Sequence, residues 1–312
     1  MGAALARSGL GKRTALGASA LVIGANFPDL DVLAYFGGPA ADLQWRRGWT
    51  HGILAQAVLP FLLTGALLLF HRAVVHRRRW SPLPALAPRQ LLLLSFIAIL
   101  SHPILDSLNT YGVRWLMPFS GQWFYGDTLF IIDPWVWLAL GIGLFSTARR
   151  QKSRRASVAR PIQLALGAVT LYVAAMAVSG RAARRIVGRE TAPGSGAVHG
   201  VMAGPVPLNP LVREFVVEQE GQYRAGTFRW LRRPHTDRDE LRTYSSGRPS
   251  HPAISLALET ALGRRFLGWA RYPVFEIEEM GSGRFLVHII DLRYAREPDA
   301  DFGTVSIPVT LP

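Results

Sequence analysis

GILAQAVLPFLLTGALLLF, residues Gly52–Phe70, decides the fold class. Its 19 residues carry no formal charge, and a helix needs about 20 predominantly apolar residues to cross a bilayer. Outward from it, Leu91–Leu105 is a second such run, Phe130–Phe145 a third and Ile162–Ser179 a fourth. Thr14–Phe27 is shorter and reads as either a short span or a re-entrant helix.

Composition supports a membrane protein joined to a soluble part. Hydrophobic residues make up 49% of the chain and charged residues 18%, and the mean hydropathy of +0.18 averages two unlike regions. Residues 1–180 are rich in Leu, Ala, Ile and Val, while 181–312 read as ordinary soluble sequence. A chain of 312 residues is also long for a single core.

The net charge of +14 first suggests nucleic acid or an anionic membrane surface. Its distribution favours the membrane. Arg72 and Arg77–Arg79 fall in one short loop, and Arg149, Arg150, Lys152, Arg154 and Arg155 in another. Basic runs between apolar stretches mark cytoplasmic loops, so no nucleic-acid partner is expected. Arg7, Lys12 and Arg13 place the N-terminus on that same side. In the 28–51 loop Arg46 and Arg47 are offset by Asp29, Asp31 and Asp42, and the 106–128 loop has only Arg114, so both are placed outside. Five crossings then put the C-terminal domain outside as well.

The expected fold is an α-helical membrane bundle of four to five membrane segments over residues 1–180. A linker follows over 181–200, rich in Gly, Ala and Arg, and then a small α+β extracytoplasmic domain over 201–312. In that domain Glu214–Gln219 and Tyr223–Trp230 read as one hairpin, and Val274–Glu279 and Arg284–Leu292 as another. Thr304–Thr310 reads as a fifth strand, and Ala253–Ala270 has helical periodicity.

Four polar features interrupt the apolar pattern where segments meet the outer face. The first is Pro28-Asp29-Leu30-Asp31, two carboxylates that can reach one cation. The second is Arg47-Gly48-Trp49-Thr50-His51, with Thr50 placed to cap the following span and His51 in its first turn. The third is His102-Pro103-Ile104-Leu105-Asp106, whose His and Asp at i and i+4 share one helix face. An ionisable pair at the end of an apolar run is costly and marks a functional site. Pro103 predicts a kink or a helix start there. The fourth runs from Asp127 to Pro134; Asp127 reads as a helix cap, and Asp133 as a partner for Arg114 or a metal-bound His.

With no cysteine in the chain, a metal must rest on His and carboxylates. Such a site suits Zn²⁺ first and Mn²⁺ second. The expected ligands are Asp29, Asp31, His51, His102 and Asp106, with Asp127 and Asp133 as general base or supporting carboxylates. The aromatic cluster of Trp115, Trp123, Trp135 and Trp137 reads as interfacial anchoring. His235, His251 and His288 are scattered and read as surface or packing residues.

At these residues the sequence resembles the YdjM family of inner-membrane metal-dependent hydrolases, also described as a domain of unknown function. The resemblance runs through Gly24–Asp31, Arg47–His51, His102–Asp106 and Asp127–Pro134, and reaches Asn209-Pro210-Leu211 and Asp291-Leu292-Arg293-Tyr294. The family is distantly similar to zinc-dependent phospholipase C and related zinc nucleases, which also use a His-x-x-x-Asp pair. That similarity implies hydrolysis of a phosphoester by a metal-activated water, with a lipid or small-molecule substrate at the outer face of the inner membrane. Family members usually carry Thr-His just ahead of the stretch matching Gly2–Arg7; this sequence begins at that stretch, and a start placed too late is the expected reason. An ion- or proton-coupled transporter and a non-catalytic membrane scaffold are the alternatives that the same residues allow.

Overall fold

The structure is a computed structural model that describes residues 1–76, 85–154, 156–191, 198–237 and 239–311. Arg77–Arg79 and Arg155 of the basic loops, and residues 192–197 of the expected linker, lie outside the described residues. The chain divides into two compact units. One comprises Met1–Leu33, Trp45–Gly126 and Ile131–Ala175; the other comprises Ala34–Gln44, Asp127–Phe130 and Met176–Pro312.

The helices, in chain order, are α1 (Gly2–Arg7), α2 (Gly17–Gly24), α3 (Pro39–Trp45), α4 (Ile53–Phe70), α5 (Pro88–Asp106), α6 (Pro134–Lys152) and α7 (Arg160–Glu190). A 3₁₀ segment, Phe27–Gly37, follows α2. Among the described residues, three helical stretches are long and apolar enough to cross a membrane: Ile53–Val74, Pro88–Asp106 and Arg160–Glu190. Two expected spans differ from this set. The helix expected over Phe130–Phe145 starts only at Pro134, because Asp133 caps it by accepting from the backbone N–H groups of Trp135 and Val136. Its last turn carries Arg149, Arg150 and Lys152, so its apolar run falls short of the length a span requires. Thr14–Phe27 forms only the eight-residue α2.

That short helix nonetheless belongs to a segment running the length of α5. Thr14 Oγ1 accepts from the backbone N–H of Ala87, just ahead of α5, at 2.7 Å. The Ala25 carbonyl oxygen lies 2.8 Å from Nδ1 of His102, in the last turns of α5. Ala87 to His102 is about 22 Å of helix at 1.5 Å per residue. Residues 14–25 cover this distance by adding non-helical turn backbone to α2. Ala20, Leu21, Leu63, Leu67, Leu91, Leu94, Ala98 and Ile99 form the core that joins α2, α4 and α5.

The same unit is electrostatically polar along its length. Arg7 on α1 donates to the side chain of Gln151 near the basic end of α6, and Gln163 donates to the Ser8 carbonyl. The N-terminal basic residues therefore share one end with Arg149, Arg150 and Lys152. Asp29, His102 and Asp106 lie at the other end of α5.

In the second unit, β1 (Val198–Pro205), β2 (Val212–Gln219), β3 (Gln222–Arg229) and β4 (Arg242–Ser245) form a four-stranded antiparallel sheet in that order. Helices α8 (Pro252–Glu259) and α9 (Ala261–Trp269) follow. Strands β5 (Pro273–Gly281), β6 (Arg284–Asp291) and β7 (Thr304–Thr310) then make a three-stranded antiparallel sheet. Both expected hairpins are present. Glu220 and Gly221, at φ 50° and 74°, turn β2 into β3, and Ser282 and Gly283, at φ 56° and 71°, turn β5 into β6. Two positive φ values in a two-residue loop are the twist-matched hairpin geometry.

Three differences from the sequence expectation have local causes. Strands β1 and β4 extend the first sheet on both sides of the expected hairpin. The helix expected over Ala253–Ala270 breaks at Thr260, whose hydroxyl accepts from the N–H of Gly263 and restarts the chain as α9. The first part of the expected linker is helix, since α7 continues to Glu190 with Ala183 and Val187, four residues apart, buried against Ala203, Phe215, Val217 and Phe228.

Candidate metal centre

Four side chains from three parts of the first unit meet at one point. Asp29 comes from the 3₁₀ segment, His51 from the turn ahead of α4, and His102 and Asp106 from the last turns of α5. Helix α5 continues through Pro103 rather than starting there, which keeps His102 and Asp106 on one face. His51 precedes α4, with its N–H bonded to the Gly48 carbonyl, and Gly52 is the N-cap in place of Thr50.

Three distances within the cluster match the spacing of ligand atoms around one ion. Asp106 Oδ2 lies 3.4 Å from Nε2 of both His51 and His102, and His102 Nε2 lies 3.3 Å from Asp29 Oδ1. In a tetrahedral zinc site with bonds of about 2.0–2.1 Å, neighbouring ligand atoms stand about 3.3–3.4 Å apart. Ligand atoms of Asp29, His51 and His102 all fall within 4.8 Å of one another. Nε2 of His51, Nε2 of His102 and Oδ2 of Asp106 are buried without a hydrogen-bond partner among the described residues. Buried polar atoms are almost always satisfied, and here three unsatisfied ones converge. The donor set fits a divalent cation.

The surroundings fix which nitrogens face inward. The Ala25 carbonyl can only accept, so Nδ1 of His102 carries the proton and Nε2 presents its lone pair. Asp31 Oδ2 does the same for His51, at 3.1 Å from Nδ1. That oxygen also accepts from the backbone N–H of Arg47 at 2.7 Å and the hydroxyl of Thr50 at 3.0 Å. Asp31 is thus placed behind His51, whose side chain is 0% exposed. Burial works to lower the pKa of His51, but the carboxylates of Asp106 and Asp31 outweigh it and raise the pKa. For Asp29 burial works upward, and His102 outweighs it, lowering the pKa. The pocket favours positive charge.

Asp127 and Asp133, read from sequence as base or supporting groups, are engaged elsewhere. Asp133 uses Oδ1 to cap α6 and Oδ2 to accept from the Tyr172 hydroxyl at 3.1 Å. Asp127 belongs to the second unit, where its Oδ2 accepts from Arg271 at 2.8 Å and lies 3.8 Å from Arg184. Arg114, the expected partner of Asp133, instead donates to the Arg46 carbonyl and stacks over Trp123. A Cβ on Gly48 would stand 2.6 Å from its guanidinium, so a larger residue there would have to displace the end of the Arg114 side chain. His251 accepts from Ala253 N–H to cap α8, and His235 stacks on Phe228.

Sequence reasoning gave no role to Arg47 or Asn109. Arg47 Nε forms a 3.2 Å ion pair with Asp106 Oδ2, and its Nη1 donates to Asn109 Oδ1 at 3.0 Å. The signal was Arg47's position in the motif that ends on His51, four residues ahead of it.

Apolar helices with a His/Asp centre at one end define a helical membrane protein. The profile of the YdjM inner membrane protein family matches residues 1–183, and the chain belongs to that family. The match contains every residue of the centre and ends before Asn209–Leu211 and Asp291–Tyr294, which lie outside it. The chain is also similar to the uncharacterized protein YfhP of Bacillus subtilis (strain 168), at 24% identity over 120 residues, 38% of this chain and 33% of that protein. It thus spans about a third of that relative's length. No solved structure matches.

Proposed function

We propose that this inner-membrane protein is a metal-dependent hydrolase acting on a phosphoester, with the metal held by Asp29, His51, His102 and Asp106. The observation that carries the reading is the convergence of two buried, unsatisfied imidazole nitrogens on Asp106 Oδ2 at tetrahedral spacing. Zn²⁺ is the first choice and Mn²⁺ the second. When bound, such a metal would supply Lewis acidity and, because four protein ligands close a tetrahedral shell, an activated water only at a fifth position beside Asp29, the most open of the four.

The chain's own groups do the rest. Asp31 and the Ala25 carbonyl hold the imidazoles in the tautomer that turns Nε2 inward. Asp29, with 55% of its side chain exposed, is the most open of the four and receives the proton at its second carboxylate oxygen. It takes the base role that the sequence suggested for Asp127 or Asp133. The basic end of the first unit supports a cytoplasmic side for Arg7, Lys12 and Arg13 and a site at the outer face; a C-terminal domain outside then requires five crossings, with both α6 and the segment of residues 14–25 beside α5 among them.

Metal analysis of the detergent-purified chain tests this reading. Stoichiometric zinc or manganese is expected in wild type and is expected to be lost in His102→Ala and in Asp106→Ala. A phosphoesterase screen with metal add-back, run on wild type and His102→Ala together, then seeks the activity. Wild type without stoichiometric metal, still folded, overturns the reading. Ion transport into liposomes that survives chelation favours the transporter.

A further inference from the structure

We propose that Arg47 binds the anionic phosphoryl group of the substrate beside the metal position, an assignment that rests on the hydrolase reading above. Arg47 is held on three sides. Its Nε faces Asp106 Oδ2 at 3.2 Å, the same oxygen on which both imidazoles converge. Its Nη1 donates to Asn109 Oδ1, and its guanidinium lies over the Tyr111 ring at 4.7 Å. Asn109 is anchored in turn, accepting from the N–H groups of Tyr111 and Gly112.

These contacts leave Nη2 without a hydrogen bond among the described residues, on a side chain that keeps 12% of its surface open. A guanidinium that only neutralised Asp106 would not need an aromatic platform and an amide brace. A fixed guanidinium with Nη2 still open, on a side chain that touches a ligand carboxylate, can give a charged hydrogen bond to a phosphate oxygen. The backbone is committed as well. Arg47 adopts φ 50°, a conformation that costs a non-glycine residue. It is held there by its N–H to Asp31 and by its carbonyl, which accepts from the N–H of Arg114.

Charge points the same way. Two carboxylates balance a divalent metal, and Asp31 is occupied on the far nitrogen of His51. Arg47, in direct contact with Asp106, then adds a positive charge at the centre, which favours an anionic tetrahedral group over a neutral ester or amide.

The test uses the full chain in detergent, loaded with Zn²⁺, with inorganic phosphate as the probe. Zinc content is measured on the same samples. Wild type is expected to bind phosphate, Arg47→Gln to bind it about 10- to 100-fold more weakly at full zinc occupancy, and Arg47→Lys to fall between. Arg47→Lys keeps a charge on Asp106 and loses the fork, so it decides the matter if Arg47→Gln loses zinc. Phosphatidic acid in nanodiscs that competes with phosphate identifies a lipid head group as the source; absence of competition identifies a soluble phosphoester. Unchanged phosphate affinity in a zinc-loaded Arg47 variant overturns the assignment and leaves the metal site standing. Wild type without zinc overturns both.

Discussion

Asp31 Oδ2 sits 3.1 Å from Nδ1 of His51, on the side of the ring away from Nε2, which faces Asp106. The sequence put Asp29 and Asp31 forward as equal candidates for one ion. In the structure Asp29 Oδ1 faces His102 Nε2, whereas Asp31 braces His51 from behind and also ties down Arg47 and Thr50.

Asp31→Asn is therefore expected to weaken zinc binding about 10- to 100-fold, as changes behind a metal-ligating histidine do, while the stoichiometry stays unchanged at saturation. Asp29→Ala is expected to reduce the stoichiometry itself or to leave a site that exchanges freely. Competition with a chromogenic chelator measures both. If Asp31→Asn binds zinc as tightly as wild type, Asp31 has no part in orienting His51.

The ligand types were legible because ionisable residues at the end of an apolar run are costly in a membrane and stand out. Their division of labour was not, since which atom of each turns inward depends on contacts such as Ala25 to His102 that span 77 residues. Asp133 carries the Asp-Pro signature of a helix N-cap, and its carboxylate is spent on that cap rather than on the site. Helix α4 is plain from its uncharged run, whereas the segment that lies along α5 from Thr14 to Ala25 is hidden because turn backbone supplies part of its length. The end of α7 has the Gly, Ala and Arg content of a linker, although Ala183 and Val187 already lie on one helical face.

The proposed orientation can be read directly, because the chain has no cysteine of its own. Phe119, 80% exposed in the 106–128 loop, replaced by Cys is expected to react with an impermeant maleimide added outside intact cells. Arg72→Cys, just beyond α4 at the opposite end, is expected to react only after the inner membrane is permeabilised. The reverse labelling would place the metal centre in the cytoplasm.

Helix α2 approaches α5 through Gly24, where a Cβ would stand 2.7 Å from Cβ of Ala98 and 3.2 Å from Leu63 Cδ2. Ala98 is fully buried in the joint core, so there is little room to yield. Gly24→Val is expected to cost about 1–3 kcal/mol by overpacking and to weaken zinc binding, since the neighbouring Ala25 carbonyl orients His102. Thermal unfolding in detergent and zinc titration on the same variant check both parts. A variant as stable as wild type would show that the two helices do not meet here.

Tyr223 and Tyr272 bring the two sheets of the second unit together, their rings edge to face at 5.5 Å within one buried cluster. Burial pushes each hydroxyl up from 10.0 to about 12. In the unfolded chain both would ionise near 10, so between those values ionisation favours unfolding. The stabilisation tied to the two neutral hydroxyls is fully present below pH 10 and is lost as pH rises towards 12. The urea midpoint of the full chain is expected to fall steeply above pH 10, with tyrosinate absorbance lagging until the protein opens. The double variant Tyr223→Phe, Tyr272→Phe removes both titrating groups and is expected to flatten that fall. The same alkaline slope in the double variant would mean that other groups set it and that these two hydroxyls contribute nothing to it.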